Sequence, residues 1–280
     1  MPPEYTRPGT TLRESTMAEL LTLGIDVGST TSKCVILRDG AELVASSLIP
    51  AGTGTSGPSR ALTSALEEAG LKREQLNAVT ATGYGRNGFE GADHIVSELS
   101  CHALGVAALM PGVRTVVDIG GQDAKVLHVS SEGKLESFLM NDKCAAGTGR
   151  FLEVMARILE LDVSELAEMD EKATGRVSIS STCTVFAESE VISQLAKNVD
   201  LHDLVAGIHA SVAVRTAGLV RRLGITRPVG MTGGVARNAG VVRALEKELG
   251  TDIAVSPMAQ LAGAFGAAVY GWNKKRSELN

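Results

Sequence analysis

Short apolar runs that are rich in β-branched residues alternate with polar, glycine-containing turns near the start of the chain. The runs fall at residues 21–27, 32–37 and 42–48. Runs of this length and composition, joined by tight turns, predict a three-stranded antiparallel meander. The pattern then predicts a helix at 59–69, a strand at 77–82 and a helix at 95–110. This part of the chain therefore predicts the element order βββαβα.

The same pattern starts again in the second half of the chain, with strands predicted at 115–119, 124–129 and 135–140. Asp26 and Asp118 occupy the same place in the two copies, at the carboxyl end of a buried strand close to a glycine, and 92 residues separate them. A fixed spacing of this kind indicates an internal duplication. Further helices and strands are predicted at 148–161, 163–169, 201–223, 228–231, 241–249, 252–255 and 259–272.

Together these elements predict an α/β fold of two duplicated lobes, each with a βββαβα core. The first lobe is expected to span residues 21–112 and the second residues 113–280, with an insertion in the second. A chain of 280 residues is longer than one typical domain. Its 44% of hydrophobic residues and 31 glycines fit a full core with many tight turns.

Residues 1–20 are rich in Pro, Thr, Arg and Glu and are expected to form a flexible extension. They contain no apolar signal-peptide core, and no apolar run in the chain approaches the roughly 18 residues of a membrane span. We therefore expect a cytoplasmic protein that does not contact a membrane. A net charge of -5 with 3% aromatic residues argues against nucleic acid as a partner.

Two Asp-Gly hairpins are the candidate phosphate-binding motifs. The first contains Asp26, Gly28, Ser29, Thr30, Thr31 and Lys33. The second contains Asp118, Gly120, Gly121, Gln122 and Asp123. Backbone N–H groups approach phosphate closely at glycine because glycine has no Cβ, and Asp26 and Asp118 are the candidate ligands of Mg²⁺ or its waters. One such turn occurs in many unrelated proteins, whereas two in register predict a clamp for a polyphosphate between the lobes.

Two side chains near the hairpins have more than one interpretation. Gln122 is placed to orient a water molecule at the γ-phosphate, or to cap its own hairpin. Lys33 is close enough to the first turn to contact phosphate, although strand alternation can also point it elsewhere. Lys33 therefore ranks below Asp26 as a candidate.

With both hairpins in view, the chain resembles the superfamily of sugar kinases, actin and Hsp70-type ATPases, which have ribonuclease H-like lobes and two phosphate motifs of this form. The resemblance implies an adenosine motif at 231–238 that contains Gly233, Gly234, Arg237 and Asn238. A simple strand-to-helix turn is the alternative for this segment. The resemblance also implies that Glu98, in the connecting helix, faces the attacking water or the metal. A solvated helix carboxylate is the alternative for Glu98.

The chain has four cysteines and no C-x-x-C spacing, which argues against a disulfide framework. Cys144 and Cys183 each precede a segment that is predicted to begin a helix, where backbone N–H groups stabilise a thiolate. A [4Fe–4S] cluster usually takes four thiolates, which a symmetric dimer of this chain would supply. Burial as small hydrophobic residues and zinc binding are the alternatives. For Cys34 and Cys101 burial is the expectation, and the five histidines show no common metal-ligand spacing.

Three segments carry a closer resemblance, to the activator components of 2-hydroxyacyl-CoA dehydratases. They are residues 81–87, 141–153 around Cys144, and 180–190 around Cys183, and the resemblance extends over about residues 21–270. It implies a homodimer with one [4Fe–4S] cluster bridged by Cys144 and Cys183 of both chains, and one Mg²⁺-dependent ATP/ADP site in each chain. It also implies that ferredoxin or flavodoxin supplies the electrons. ATP hydrolysis would then drive one low-potential electron into a separate dehydratase.

Three other functions remain open at this point. The same family contains the ATPase subunits of benzoyl-CoA reductase, so a component of a complex of that kind is one alternative. A small-molecule kinase of the same superfamily would hold its substrate beside the γ-phosphate and use a carboxylate as base. A non-redox regulatory ATPase would use Cys144 and Cys183 only structurally. Iron content separates the last two functions from electron transfer.

Overall fold

The computed structural model of the protein describes residues 19–180 and 183–280. The extension predicted at residues 1–20 lies outside this range except for its last two residues. Ser181 and Thr182, directly before Cys183, also lie outside the described residues.

The first lobe is built on a five-stranded mixed sheet with the strand order β3-β2-β1-β4-β5. Its strands are Leu21–Val27 (β1), Ser32–Arg38 (β2), Glu42–Ile49 (β3), Ala78–Thr82 (β4) and His94–Ile95 (β5). The first three form the predicted antiparallel meander, and β4 runs parallel to β1. The helix Gly57–Ala69 (α1) buries Ala61 and Ala65 against this sheet and ends at Gly70, whose φ of 63° lies in the left-handed region.

The second lobe repeats this arrangement on a sheet with the strand order β10-β9-β6-β7-β8. Its strands are Thr115–Ile119 (β6), Ala124–Val129 (β7), Leu135–Asn141 (β8), Val229–Thr232 (β9) and Ile253–Val255 (β10). The antiparallel meander β6-β7-β8 corresponds to β1-β2-β3, and β9 runs parallel to β6 as β4 does to β1. The predicted α/β class and the duplication are confirmed. The short strand β5 is an addition to the predicted order.

Five helices build the rest of the second lobe. They are Gly149–Ile158 (α3), Leu166–Glu171 (α4), Thr184–Ala196 (α5), Leu201–Leu223 (α6) and Ala239–Leu249 (α7). One core joins these helices to the second sheet, with Phe151, Met155 and Ile208 among its buried side chains. The length and composition of α6 would suffice for a membrane span, but 72% of its most apolar window is buried inside the fold. That burial explains its hydropathy as a property of a core helix.

Two helices cross between the lobes, Glu98–Leu109 (α2) and Ala262–Leu279 (α8). The first packs Ala103 and Val106 against residues of the second sheet. The last helix of the chain, grouped by the sequence with residues 113–280, packs instead on β1, β2 and β4 of the first sheet. Each lobe therefore contributes a helix to the packing of the other.

Glycines allow the backbones of these two helices to approach closely. A Cβ on Gly266 would overlap the carbonyl oxygen of Cys101, and a Cβ on Gly105 would overlap that of Ala262. Gly24 of β1 has the same relation to Ala264. The contact between the lobes thus depends on positions where no side chain fits.

Candidate functional site

A cavity of about 780 Å³ lies between the two lobes. It is lined by every residue that the sequence predicted for nucleotide binding or hydrolysis: Asp26, Gly28, Ser29, Thr30, Thr31, Lys33, Glu98, Asp118, Gly120, Gly121, Gln122, Gly233, Gly234, Arg237 and Asn238. Its volume suits a small organic ligand. The four stretches of chain that carry these residues are separated by as many as two hundred positions in sequence, and the fold brings them to one place.

The two hairpins face each other across this cavity. Each is closed by a backbone bond, from Gly28 N to Thr31 O at 3.0 Å and from Gly120 N to Asp123 O at 2.9 Å. A Cβ on Gly121 would lie only 2.6 Å from Oγ1 of Thr30, so the turns from the two lobes touch. The two turns therefore lie on opposite sides of the cavity, as a phosphate clamp between the lobes would require.

In the first hairpin a single lysine pairs with the aspartate. Asp26 and Lys33 are opposite each other in the β1-β2 register, and Lys33 Nζ lies 3.0 Å from Asp26 Oδ2. Burial tends to lower the pKa of Lys33, but the attraction of Asp26 outweighs it and the pKa is raised. Gly83 (φ 87°) lies against this carboxylate, because a Cβ there would overlap Asp26 Oδ1.

In the second hairpin the aspartate has three partners. Asp118 accepts a hydrogen bond from Thr232 Oγ1 at 2.9 Å and lies 3.3 Å from His102 Nε2 and 3.5 Å from Lys125 Nζ. Burial tends to raise the pKa of this carboxyl group, but the positive charges of His102 and Lys125 outweigh it and hold the pKa well below its usual range. For His102 the attraction of Asp118 outweighs burial and raises the pKa to about 9.

Lys125 is a buried lysine that the sequence analysis did not single out. It is opposite Asp118 in the β6-β7 register and lies 92 residues after Lys33, the same spacing that separates Asp26 from Asp118. Its Nζ lies 2.8 Å from Glu98 Oε1 and 2.8 Å from Asp123 Oδ2. The repeat spacing could have identified Lys125, whereas its contact with Glu98 depends on where α2 packs.

The carboxylates at the floor of the cavity suit a hard divalent cation. Ligand atoms of Glu98, His102 and Asp118 lie within 4.8 Å of one another. Gly263, in α8, lies beside His102 and Asp26, and a Cβ there would be 3.1 Å from His102 Cε1 and 3.3 Å from Asp26 Oδ2. Among the described residues the buried Nδ1 of His102 has no hydrogen-bond partner. Carboxylate oxygen is the donor that Mg²⁺ prefers, so Asp26 and Asp118 fit the predicted metal.

Within the predicted adenosine motif, Gly233 has a backbone conformation that any other residue would adopt only with strain. Gly233 has a φ of 85°, and a Cβ there would overlap Ile119 O and lie 2.9 Å from Asp118 Oδ1. A 3₁₀ turn, Gly234–Arg237, follows and exposes Gly234 and Arg237 at the cavity. Asn238 lines the cavity and also caps α7: its Oδ1 accepts a hydrogen bond from Val241 N, and its Nδ2 lies 3.2 Å from His209 Nε2.

The four cysteines divide into two classes. Cys34 in β2 and Cys101 in α2 are fully buried, as predicted, and burial raises the pKa of the Cys101 thiol to about 12 and that of Cys34 further. Cys144 and Cys183 are partly exposed, and both are free thiols. Cys183 is the N-cap of α5, as the sequence predicted. Cys144 differs from the prediction, because it lies in a loop.

The loop exists because the chain cannot enter a helix at Cys144. Gly147 has a φ of 84°, which an α-helix does not allow, and α3 begins only at Gly149. The loop is held by Thr148 Oγ1, which donates to Ala145 O at 2.6 Å, and by Asn141 Nδ2, which donates to Cys144 O at 3.1 Å.

Two backbone hydrogen bonds join this cysteine loop to the second phosphate hairpin. Gly149 N donates to Gly120 O and Arg150 N donates to Gly121 O, both at 2.9 Å. The first turn of α3 is therefore bonded directly to the hairpin, and Cys144 lies only five residues before it. Sequence reasoning found both motifs but not their connection, which arises from the packing of α3 under the hairpin.

The surface of α5 beside Cys183 is unusually apolar for an exposed helix. Val185 is 65% exposed, Phe186 is 64% exposed and Ile192 is 51% exposed. Solvent-exposed helices normally present polar side chains, so exposed apolar residues clustered on one helix mark a contact surface.

Known proteins resemble this chain along nearly its whole length. It is 61% identical over 256 residues to the (R)-2-hydroxyglutaryl-CoA dehydratase activating ATPase of Acidaminococcus fermentans, covering 91% of this chain and 98% of that protein. It is 33% identical over 205 residues to one of the subunits of benzoyl-CoA reductase of Thauera aromatica, covering 71% of this chain and 72% of that one.

Solved structures show the same similarity. The activator of the 2-hydroxyisocaproyl-CoA dehydratase from Clostridium difficile with bound ADPNP superposes with a TM-score of 0.90 at 55% identity, covering 93% of this chain and 97% of that one. A ROK family glucokinase from Streptomyces griseus, at 14% identity with a TM-score of 0.57 over 90% of this chain and 99% of its own, shares the fold. The predicted fold, which sugar kinases share, is confirmed. The family model of the BadF/BadG/BcrA/BcrD ATPases matches residues 23–271, and the chain belongs to that ATPase family.

Proposed function

We propose that this protein is the ATP-dependent activator of a 2-hydroxyacyl-CoA dehydratase, to which it transfers one low-potential electron from a [4Fe–4S] cluster. The identity of 61% to an activating ATPase of such a dehydratase supports the partner. The observation that carries the electron transfer is the pair of free, partly exposed thiols on the lobe whose phosphate hairpin is bonded to the Cys144 loop.

The cluster would be held by Cys144 and Cys183 of two chains. Each chain offers two accessible thiols, and four thiolates are the usual ligand set, so a homodimer supplies the site. The exposed Val185 and Phe186 lie two and three residues after Cys183 and would be covered by the second chain. When bound, the cluster supplies the one-electron redox chemistry that no side chain provides.

The residues of the cleft would have different roles in ATP hydrolysis. The turns of both hairpins present backbone N–H groups to the phosphates, with Lys33 as a neighbouring positive charge. Asp26 and Asp118 would hold Mg²⁺, and Gln122 and Glu98 would orient the water that attacks the γ-phosphate. Gly233, Gly234 and Arg237 would take the adenosine.

Nucleotide state would reach the cysteines through α3. A change in the second hairpin on loss of the γ-phosphate moves the carbonyls of Gly120 and Gly121, to which the first turn of α3 is bonded. The loop that carries Cys144 ends at that turn. The contact between the second hairpin and α3 would pack differently in the ATP and ADP states. This difference would change the environment of the thiolates.

The electron donor would be a ferredoxin or flavodoxin in the cytoplasm. An ATPase component of a benzoyl-CoA reductase-like complex is the second candidate, but 33% identity to a protein of that kind favours it less than 61% favours the dehydratase activator. A small-molecule kinase would contain no iron.

Iron, acid-labile sulfide and molecular mass, measured together on anaerobically purified protein, test this function. We expect about four iron and four sulfide per dimer. Cys144→Ala and Cys183→Ala should each lose the iron and keep nucleotide binding, whereas Cys101→Ala, the control at a buried thiol, should keep both. An iron-free monomer that binds nucleotide would refute electron transfer and favour the kinase.

A further inference from the structure

Lys125 is the most confined cation in the cleft. It is 3% exposed and lies within a strand whose other residues are almost all buried and apolar or small. Lysine is rarely buried in this way unless it is paired, because its ammonium loses its hydration. Its place therefore has to be explained by its partners.

Those partners are three carboxylates from three different elements. Lys125 Nζ lies 2.8 Å from Glu98 in α2, 2.8 Å from Asp123 in the hairpin and 3.5 Å from Asp118 at the end of β6. An ammonium group has three N–H donors, and three carboxylates surround this one. Two of the three, Glu98 and Asp118, also belong to the group of potential metal ligands that includes His102.

A divalent ion and the ammonium of Lys125 therefore compete for the same oxygens. Mg²⁺ binds carboxylate oxygen at about 2.1 Å, so an ion on Glu98 and Asp118 would stand close to the ammonium, and like charges would repel. The imidazole of His102, 3.3 Å from Asp118, occupies a further side of the same carboxylate. The carboxylates in the second half of the cleft are thus already paired with the protein's own cationic side chains.

The first half of the cleft differs in this respect. Lys33 has one carboxylate partner, Asp26, and its side chain is 13% exposed. It can turn toward a phosphate without leaving several carboxylates unpaired. The duplicated lysines therefore have different surroundings at the same register position.

We propose that Lys125 is a resident counter-ion that holds Glu98, Asp118 and Asp123 in place and prevents a free divalent ion from binding there, so that the metal enters the cleft only together with the nucleotide. This proposal rests on the assignment of Asp26 and Asp118 to the metal–nucleotide complex, but not on the cluster or on the dehydratase. Lys125 acts through Glu98 and Asp118 and is a positioning residue.

Binding of Mn²⁺ to the nucleotide-free protein, followed by the EPR signal of the free ion, tests the proposal. Wild-type protein should bind no Mn²⁺ at this site without nucleotide, and should bind it once ADP is added. Lys125→Met should gain a site, with affinity about tenfold or more above that of the wild type. The double variant Lys125→Met with Glu98→Gln should lose that gain.

Lys33→Met is the matched control, since it removes the lysine at the same register position but frees only Asp26. It should show no gain of Mn²⁺ binding. In ATP hydrolysis Lys125→Met should lower kcat by about tenfold or more with a smaller change in KM, and Lys125→Arg should recover part of the loss.

Mn²⁺ binding at this site by nucleotide-free wild-type protein would overturn the proposal. That wild-type titration decides the matter even where a variant fails to fold. Failure of the metal–nucleotide assignment gives a different result, in which ADP brings no Mn²⁺ to the wild-type protein.

Discussion

The two lobes begin with the same hairpin and use it differently. In the first lobe Asp26 pairs with Lys33 alone, at an edge of the cleft where the lysine is partly exposed. In the second lobe the corresponding pair, Asp118 and Lys125, is enclosed by His102, Glu98 and Asp123. The duplicated backbone fixes the position of both pairs, whereas the helix that packs beside each pair decides its electrostatics.

The cysteines follow the same division. Those of the first lobe and its connecting helix, Cys34 and Cys101, are buried, whereas those of the second lobe, Cys144 and Cys183, reach the surface. The insertion between β8 and β9 carries both accessible thiols. The first lobe thus supplies one half of the cleft, and the second lobe joins the other half to a surface with two accessible thiols.

Replacing the two aspartates tests this comparison with the largest effect. Asp26→Asn and Asp118→Asn should each lower ATP turnover by roughly 10²–10³-fold, because each removes a proposed carboxylate ligand of Mg²⁺. Only Asp118→Asn should also lower the free energy of unfolding, by roughly 1–3 kcal/mol, because it removes a fully enclosed partner of His102 and Lys125. Steady-state hydrolysis and urea unfolding measure the two effects. An equal loss of stability in both variants would contradict the asymmetry.

Thiol reactivity sharpens the comparison between the cysteine pairs. In iron-free protein at pH 8, iodoacetamide should modify Cys144 and Cys183 about 10²-fold or more faster than Cys34 and Cys101, because burial raises the pKa of the latter two and the thiolate is the nucleophile. Mass spectrometry of the alkylated peptides gives the rates. Comparable modification of Cys101 in the folded protein would show that this buried thiol is accessible to the reagent.

The glycine crossing tests how firmly the two lobes are joined. Gly266→Ala should lower the free energy of unfolding by roughly 1–3 kcal/mol, because the new Cβ overlaps the carbonyl of Cys101 in α2. Gly218→Ala, in α6, is the control, since no other described atom lies within 4 Å of its Cβ position apart from its own helix. It should be stabilising by about 1 kcal/mol or less. Equal effects of the two changes would indicate that the crossing is loosely packed.

The smallest expected effect concerns Asp170, a carboxylate of the second lobe that lies behind the predicted adenosine motif. Asp170 in α4 lies 3.6 Å from His209 Nδ1 and accepts from Arg243 at 2.9 Å. The nearby His209, followed by the hydrogen bond from Arg243, outweighs burial and lowers the pKa of Asp170. A lowered folded-state pKa contributes stability above the ordinary value of about 3.9, and that contribution is lost as the pH falls below it.

Asp170→Asn should therefore flatten the loss of stability on acidification below about pH 5, measured as the free energy of unfolding against pH. At pH 7 the variant should be less stable than the wild type, and the two curves should converge at low pH. Parallel curves would mean that Asp170 does not stabilise the fold through its charge.

Secondary-structure elements with a regular local sequence pattern were predicted well. Alternating apolar residues located both meanders, and α6 was predicted at its observed bounds, Leu201–Leu223. The candidate phosphate-binding residues lie at the ends of strands, and the predicted cleft residues line one cavity. These features depend on neighbours in the chain, which a single sequence displays.

Long-range packing could not be predicted in the same way. The last helix packs on the first sheet at Gly24 and on α2 at Gly266, and no local period indicates either contact. His102 meets Asp118, and Glu98 meets Lys125, only because α2 crosses between the lobes. The left-handed conformation of Gly147, which places Cys144 in a loop, is likewise set by the packing of α3 under the hairpin.

Electron transfer to the dehydratase is the most direct test of the account. Anaerobic protein is reduced with dithionite, freed of excess reductant and mixed with the dehydratase component, and its oxidation is followed by absorbance. With Mg²⁺ and ATP we expect oxidation coupled to hydrolysis, and with a non-hydrolysable ATP analogue we expect almost none. Rapid ATP hydrolysis without any oxidation of the reduced protein would contradict the account and leave an ATPase that carries no electron.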